Sequence, residues 1–299
     1  MREHARPAAV LQFRFPRRAK SPMMRGIPRS GPDMQKILVF TDIHILPEGG
    51  TIIGLDPHAR FSHGLAHALD SHPDAAHVVL CGDLTHNASP AEYARLREAL
   101  AACPLPVSLM LGNHDRRAPF LATFPDAARM QTGHIQQVQD IGDYRLICLD
   151  TLDEDAEDIH SGYLCNARLG WLDAALAGAA HRRVIIFCHH PPVLTGFGGM
   201  DQIGLRNRAE LIALLTAHGN VTQIVSGHIH RTLQGSAGGI PVAVFKSPCH
   251  QMPMALGYQN SSLSIDEPGA YGLLLLTDEG VIVHTEDFTL PPTEAAIYD

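Results

Sequence analysis

Five short segments carry side chains whose types and order could do chemistry. They are Asp42-Ile43-His44, Gly82-Asp83, Gly112-Asn113-His114-Asp115, His189-His190-Pro191-Pro192 and Gly227-His228-Ile229-His230. Taken singly each is weak: Gly-Asp is a common turn, Gly and Asn favour turns in general, and an Asp-x-His can be no more than a polar surface stretch. A His-x-His after a strand sets two imidazoles on one side, because alternate residues point the same way. Together, in this order, they form a dense set of oxygen and nitrogen donors, which suits Fe, Mn, Co or Zn rather than a thiolate site. One carboxylate can bridge two ions about 3.5–4 Å apart. Each cation lowers the pKa of bound water, so a hydroxide shared between two ions would be a nucleophile at neutral pH.

These donors need a scaffold that points them at one place. Each segment follows a short apolar run of the kind expected for a strand buried on both faces: 37–40, 78–81, 107–111, 184–188 and 221–225. Helices are expected at about 59–69, where Phe61, Leu65 and Leu69 recur every four residues, and at 91–101 after Ser89-Pro90. Two more are expected at 169–176, which carries the only tryptophan, Trp171, and near 209–217. Further strands are expected at 135–138 and 145–149 around Gly142-Asp143, and at 231–235, 242–245, 271–276 and 281–284. The stretch from about 249 to 270, rich in Pro, Gly, Met and Ser, reads as a long loop. Strands alternating with helices, then a strand-rich end, argue for one layered α/β domain with its site outside the carboxyl ends of strands.

The ordered set resembles the calcineurin-like metallophosphoesterase superfamily, with its D-x-H, G-D, G-N-H-[DE], H-x-P-P and G-H-x-H blocks, over about residues 36–250. The resemblance implies a single-domain, four-layer α/β/β/α sandwich over 34–299, with a strand and loop region from about 249. It implies two divalent ions, Fe2+ or Mn2+ in the first place and Zn2+ or Co2+ as alternatives. Asp42, His44 and His230 would hold one ion, Asn113, His189 and His228 the other, and Asp83 would bridge them. His190 falls at the variable position of H-x-P-P. His114 would stand over the ions and help the phosphoryl oxygen or leaving group, with Asp115 orienting it. Thr41 stands where the family often has Ser.

Within the superfamily, Thr85-His86-Asn87, Gly199-Met200-Asp201-Gln202-Ile203 and Pro248-Cys249-His250-Gln251-Met252-Pro253 resemble the class III cyclic-nucleotide phosphodiesterases and bacterial glycerophosphodiesterases, with departures around Cys249. This implies hydrolysis of a small phosphodiester, a 2′,3′- or 3′,5′-cyclic nucleotide foremost, by attack of a metal-bridging hydroxide, with a glycerophosphodiester as the alternative. His86 and His250 are candidate substrate contacts. A homodimer is compatible with the resemblance.

Composition narrows the rest. The apolar fraction of 45% excludes a wholly disordered chain, and no apolar run approaches the roughly 20 residues of a membrane span. Residues 1–32 hold eight of the 23 Lys and Arg and one of the 31 Asp and Glu, so the remaining 267 carry 15 basic and 30 acidic groups. Such a body lacks the clustered cations that nucleic acid needs, which argues against a nuclease. Residues 1–33 form a basic, Pro-rich head, expected to be disordered or read from too early a start codon, with Met23, Met24 and Met34 as other starts. The six cysteines form no CxxC pair, and buried free thiols in a reducing cytoplasm are expected. His58, His63, His67, His72, His77, His181 and His218 are expected to face solvent. A non-catalytic scaffold on a decayed fold should have lost ligands, and all seven candidates are present.

Overall fold

A computed structural model describes residues 34–290; the expectations for the basic head fall outside them. The first half runs β1 (Gln35–Phe40), α1 (Pro57–Ser71), β2 (His77–Cys81), α2 (Pro90–Leu100), β3 (Val107–Met110), α3 (Arg117–Thr123), β4 (Gln137–Ile141) and β5 (Tyr144–Leu149). The second half runs α4 (Asn166–Ala177), β6 (Arg183–Cys188), α5 (Gly198–Gln202), α6 (Arg208–His218), β7 (Val221–Ser226), β8 (Leu233–Ala237), β9 (Ile240–Val244), β10 (Tyr271–Leu276) and β11 (Val281–Glu286). Among the described residues no helix is long and apolar enough to cross a membrane.

Two sheets form, ordered β11-β10-β1-β2-β3 and β4-β5-β6-β7-β9-β8. β1, β2 and β3 are parallel, as are β5, β6, β7 and β9. Their alternate side chains explain the continuous apolar runs. Ile37 and Val39 of β1 join Val79, Phe187, Val225 and Phe245 in a core between the sheets. Leu38 and Phe40 point the other way, under Phe61 and Leu65 of α1 and Tyr93 and Leu96 of α2. On the far sheet Ile186 and Ile224 lie under Leu172 and Leu176 of α4 and Leu211 and Leu215 of α6. Both faces of each sheet are covered, so both parities are apolar. The four layers are α/β/β/α, as expected.

Several elements depart from the sequence expectation. The short helices α3 and α5 carry too few turns to show an apolar period. Ile135 lies before β4, because its amide donates to the Asp150 carboxylate at 2.8 Å instead of to a neighbouring strand. His77 is buried in β2, not solvent-facing, with Nε2 2.9 Å from Ser108 Oγ. His58, His67, His72 and His218 are only partly exposed, and His67 meets the Tyr271 hydroxyl at 3.3 Å.

Burial pulls the His77 imidazole down to about 4. Its folded value lies below its unfolded one, so its stabilising effect is complete above about pH 6.5 and is lost as the pH falls toward 4. Between about pH 7.5 and 5 this one group removes about 2 kcal/mol of stability. His77→Leu has no such loss. Urea unfolding of the two proteins at both pH values should show the wild-type advantage shrinking by that amount on acidification; equal pH slopes would contradict it.

Candidate metal centre

The parallel registers carry the donors to one place. β1 runs beside β2 with Phe40 opposite Leu80, and beyond the strand ends the Asp42 amide donates to Gly82 O at 3.0 Å and the His44 amide to Asp83 O at 2.9 Å. Cys81 is opposite Met110, which brings Gly112-Asn113-His114 alongside. On the other sheet Phe187 is opposite Val225, and Gly227 N donates to His189 O at 3.1 Å. The sheets are joined where the His228 amide donates to the Asp42 carboxylate at 3.0 Å and His189 Nδ1 donates to Cys81 O at 2.9 Å. Gly112 and Gly227 are required here: a Cβ on the first would overlap the Asp83 carboxylate, and one on the second Thr41 Oγ1.

The backbone is strained at this point. Asp42, His44, Asp83, His228 and His230 all have left-handed φ, between +47° and +71°. Non-glycine residues adopt that region rarely, and clusters of such outliers mark functional sites.

Two groups of donors share one carboxylate. Ligand atoms of Asp42, His44, Asp83 and His230 all lie within 4.8 Å of one another. His44 Nε2 is 3.6 Å from Asp83 Oδ2 and 3.0 Å from His230 Nε2, and His230 Nε2 is 3.5 Å from Asp42 Oδ1. On the other side of Asp83, His189 Nε2 is 3.4 Å from the same Oδ2 and 3.2 Å from Asn113 Oδ1. His228 packs against His189 with ring centroids 5.3 Å apart. Asp83 Oδ1 is occupied by the His114 amide at 2.9 Å, which leaves Oδ2 between the two groups.

The ligand tautomers are set by backbone carbonyls, which can only accept. His189 Nδ1 faces Cys81 O, His228 Nε2 faces Ile203 O at 3.1 Å, and His230 Nδ1 faces His250 O at 3.0 Å. Each of those nitrogens carries a hydrogen, which leaves the other ring nitrogen facing inward as the ligand atom. Burial and neighbouring imidazoles hold His44 and His228 well below the ordinary range, so they are neutral ligands. Burial alone would raise the Asp83 carboxyl, but His189, His114 and His44 hold it well below its usual value. His189, in spite of its burial, is lifted to about 9 by Asp83 and Asp42. This donor set, convergent and preorganised, fits two divalent ions sharing Asp83.

The other expected residues divide. His190 has both ring nitrogens engaged: Nδ1 meets Thr151 Oγ1 at 2.8 Å, Nε2 donates to His160 O at 3.0 Å, and burial pulls it down to about 3. His114 is in place, but Asp115 does not orient its ring. His114 Nδ1 donates to His86 O at 2.8 Å. Asp115 accepts instead from the amides of Leu84, Thr85 and Gly112 and from the Thr85 and Tyr93 hydroxyls, tying the two ligand loops together. His86 and His250 both line the cleft over the donors, and buried His250 Nδ1 has no partner among the described residues.

His160 is a further cleft residue, absent from the sequence reading. It accepts from Asn113 Nδ2 at 3.1 Å, which turns Asn113 Oδ1 toward His189. It follows no strand and lies in an acidic loop, so its only signal is a histidine among Asp and Glu.

The model of the calcineurin-like phosphoesterase family matches residues 35–232. A probable cyclic nucleotide phosphodiesterase of Rhodopseudomonas palustris is 36% identical over 254 residues, 85% of this chain and 92% of that protein. A probable glycerophosphodiester phosphodiesterase of Arcobacter nitrofigilis is 28% identical, covering 83% of this chain and 92% of that one. A dimetal phosphatase from Danio rerio shares the fold, with a TM-score of 0.61 at 15% identity over 87% of this chain and 100% of that one.

Replacing the shared carboxylate should empty both positions, whereas removing His114 should empty neither. Plasma emission of purified protein is expected to show about two metal equivalents for wild type and His114→Ala, and well under about one for Asp83→Ala. Full metal content in Asp83→Ala would overturn the sharing of Asp83.

Proposed function

From the premise that the chain belongs to the calcineurin-like phosphoesterase family, we propose that it is a two-metal phosphodiesterase acting on a small diester, a cyclic nucleotide in the first instance. One observation carries this reading. Among the described residues, no lysine or arginine lines the cleft over the donors, about 640 Å³. A phosphomonoester brings two negative charges and calls for cations beyond the metals, while a diester brings one.

The apolar part of the cleft lining supports a nucleotide over a glycerol ester. Ile52, Ile53, Met200, Ile203, Met252 and Leu263 offer apolar surface that a glyceryl group has no use for, and the 36%-identical relative is named for cyclic nucleotides. The glycerophosphodiester reading is the alternative, favoured by the relative named for that substrate. A cytoplasmic enzyme belongs to the same reading and is consistent with six unpaired cysteines.

In this mechanism Asp42, His44 and His230 would hold one ion and Asn113, His189 and His228 the other, with Asp83 contributing to both. When bound, the ions neutralise charge on the phosphoryl oxygens and make water nucleophilic near neutral pH. His114, its Nδ1 held by His86 O, has Nε2 as its working atom. Protonated there, it donates to the departing oxygen and carries the leaving group's proton. Asp115 fixes the loop on which His114 rides.

Ile53 bears on specificity. Ile52 and Leu55 exchange two backbone hydrogen bonds of 2.9 Å around Ile53-Gly54, whose φ values are +49° and +82°. Both central residues are left-handed, the signature of a tight hairpin that prefers Asn-Gly. A half-exposed isoleucine in that position costs about 1–2 kcal/mol, and its side chain reaches the cleft.

Three outcomes are expected. With Mn2+, 2′,3′- or 3′,5′-cAMP should be cleaved with higher kcat/KM than glycerophosphoethanolamine, and AMP should be the poorest; an AMP rate equal to the best diester would make the protein a phosphomonoesterase. His114→Ala should lower kcat by about 10²–10⁴, and an unchanged kcat would remove it from the reaction. Ile53→Asn should stabilise the fold by about 1 kcal/mol while raising KM for the cyclic nucleotide; unchanged stability or unchanged KM would count against the assignment.

A further inference from the structure

His86 stands apart from the other cleft histidines. Three of the candidate metal ligands have a backbone carbonyl on their second nitrogen. His44 has none. Its Nδ1 lies 3.3 Å from Nδ1 of His86. Its Nε2 faces Asp83 and His230 and must keep its lone pair to bind an ion. The hydrogen of neutral His44 is therefore on Nδ1, and across 3.3 Å only a lone pair on His86 Nδ1 can receive it. That fixes the tautomer of His86: its hydrogen is on Nε2. Among the described residues Nε2 has no hydrogen-bond partner, and His86 lines the cleft.

The ring is held firmly enough for this to matter. The His86 amide donates to Ile45 O at 3.1 Å, and its carbonyl accepts from His114 Nδ1 at 2.8 Å. Its imidazole stacks on that of His114, with centroids 5.1 Å apart and planes at 24°. The residues on either side are pinned as well. Thr85 donates twice to Asp115, and the Asn87 amide and side chain donate to Glu92, the buried capping-box residue of α2.

We propose that His86 is the positioning residue of the metal ligand His44, and that the same tautomer turns its Nε2–H into the cleft as a donor to a non-reacting oxygen of the substrate. His86 thereby joins one ion's ligand, the backbone that holds His114 and the substrate in a single side chain. The half concerning His44 rests on the 3.3 Å contact and on Nε2 being the metal-ligating atom; the half concerning the substrate rests on the phosphodiesterase reading.

The test uses the full chain with Mn2+ as the probe and two readouts, metal affinity by calorimetric titration and the kcat and KM of the preferred diester. His86→Ala should weaken the affinity of one Mn2+ by about 10–100-fold, the usual effect of removing a ligand's hydrogen-bond partner. His86→Asn should restore most of it, because the amide oxygen falls near the position of Nδ1 and accepts from His44. KM should remain raised in His86→Asn, since nothing there replaces the Nε2–H donor. Unchanged affinity in His86→Ala, or a His86→Asn protein as weak as His86→Ala, overturns the positioning role. A wild-type KM in His86→Asn overturns the substrate contact. If no diester is turned over, the phosphodiesterase reading and the substrate half fail, while the Mn2+ affinities still decide the His44 half.

Discussion

Two carboxylates withdrawn from water set the terms for the rest of this structure. Asp42 and Asp83 are essentially inaccessible and lie within one cluster of ligand atoms. Burying even one carboxylate is expensive unless it is paired and hydrogen-bonded. The protein's own response is partial. His189 takes a proton far above the usual imidazole range, Asp83 stays ionised, and Asp42, with burial outweighing its histidine neighbours, is pushed upward. Divalent ions in the same space would satisfy both carboxylates and release the proton from His189, whose Nε2 lone pair would then be available. Metal affinity and proton release are thus the same event seen from two sides.

The backbone has the same logic. Five of the candidate ligands occupy left-handed φ, each at a cost of about 1–3 kcal/mol, and they lie at the ends of strands whose side chains fill three apolar layers. The cores hold the strand ends rigid, the rigid ends hold the strained loops, and the loops aim carboxylates and imidazoles at each other. Asp115 is the fastener in this chain of support. Five donors from two ligand loops and α2 converge on its carboxylate, so it fixes the spacing of Asp83 and Asn113 without touching an ion.

What was legible in the sequence follows from the same physics. Strands buried on both faces must be continuously apolar, so a ligand can appear only where the run stops. The transition from Val-Val-Leu-Cys to Gly-Asp, or from Ile-Val-Ser to Gly-His, marks both a strand end and a site. The seven ligand candidates and His114 were readable on that ground. The partner of a side chain was not, because it depends on which loop lies across which. Asp115 follows His114 directly, yet its carboxylate points away toward Thr85. His77 sits among helix and loop histidines in composition, but one position of strand register buries it. His160, His190 and the left-handed Ile53 owe their places to loops whose paths have no periodic signal.

Charge also selects what can reach the centre. Beyond its first 32 residues the chain carries twice as many acidic as basic groups, a field that repels polyanions and raises the local concentration of divalent cations. The cleft continues this inward: among the described residues Asp83 is its only charged lining side chain outside the histidines, and none is a lysine or arginine. Attraction for the substrate must then come from the ions themselves, over a short range, aided by neutral donors such as the imidazole N–H groups and the hydroxyls of Ser261, Ser262 and Ser264.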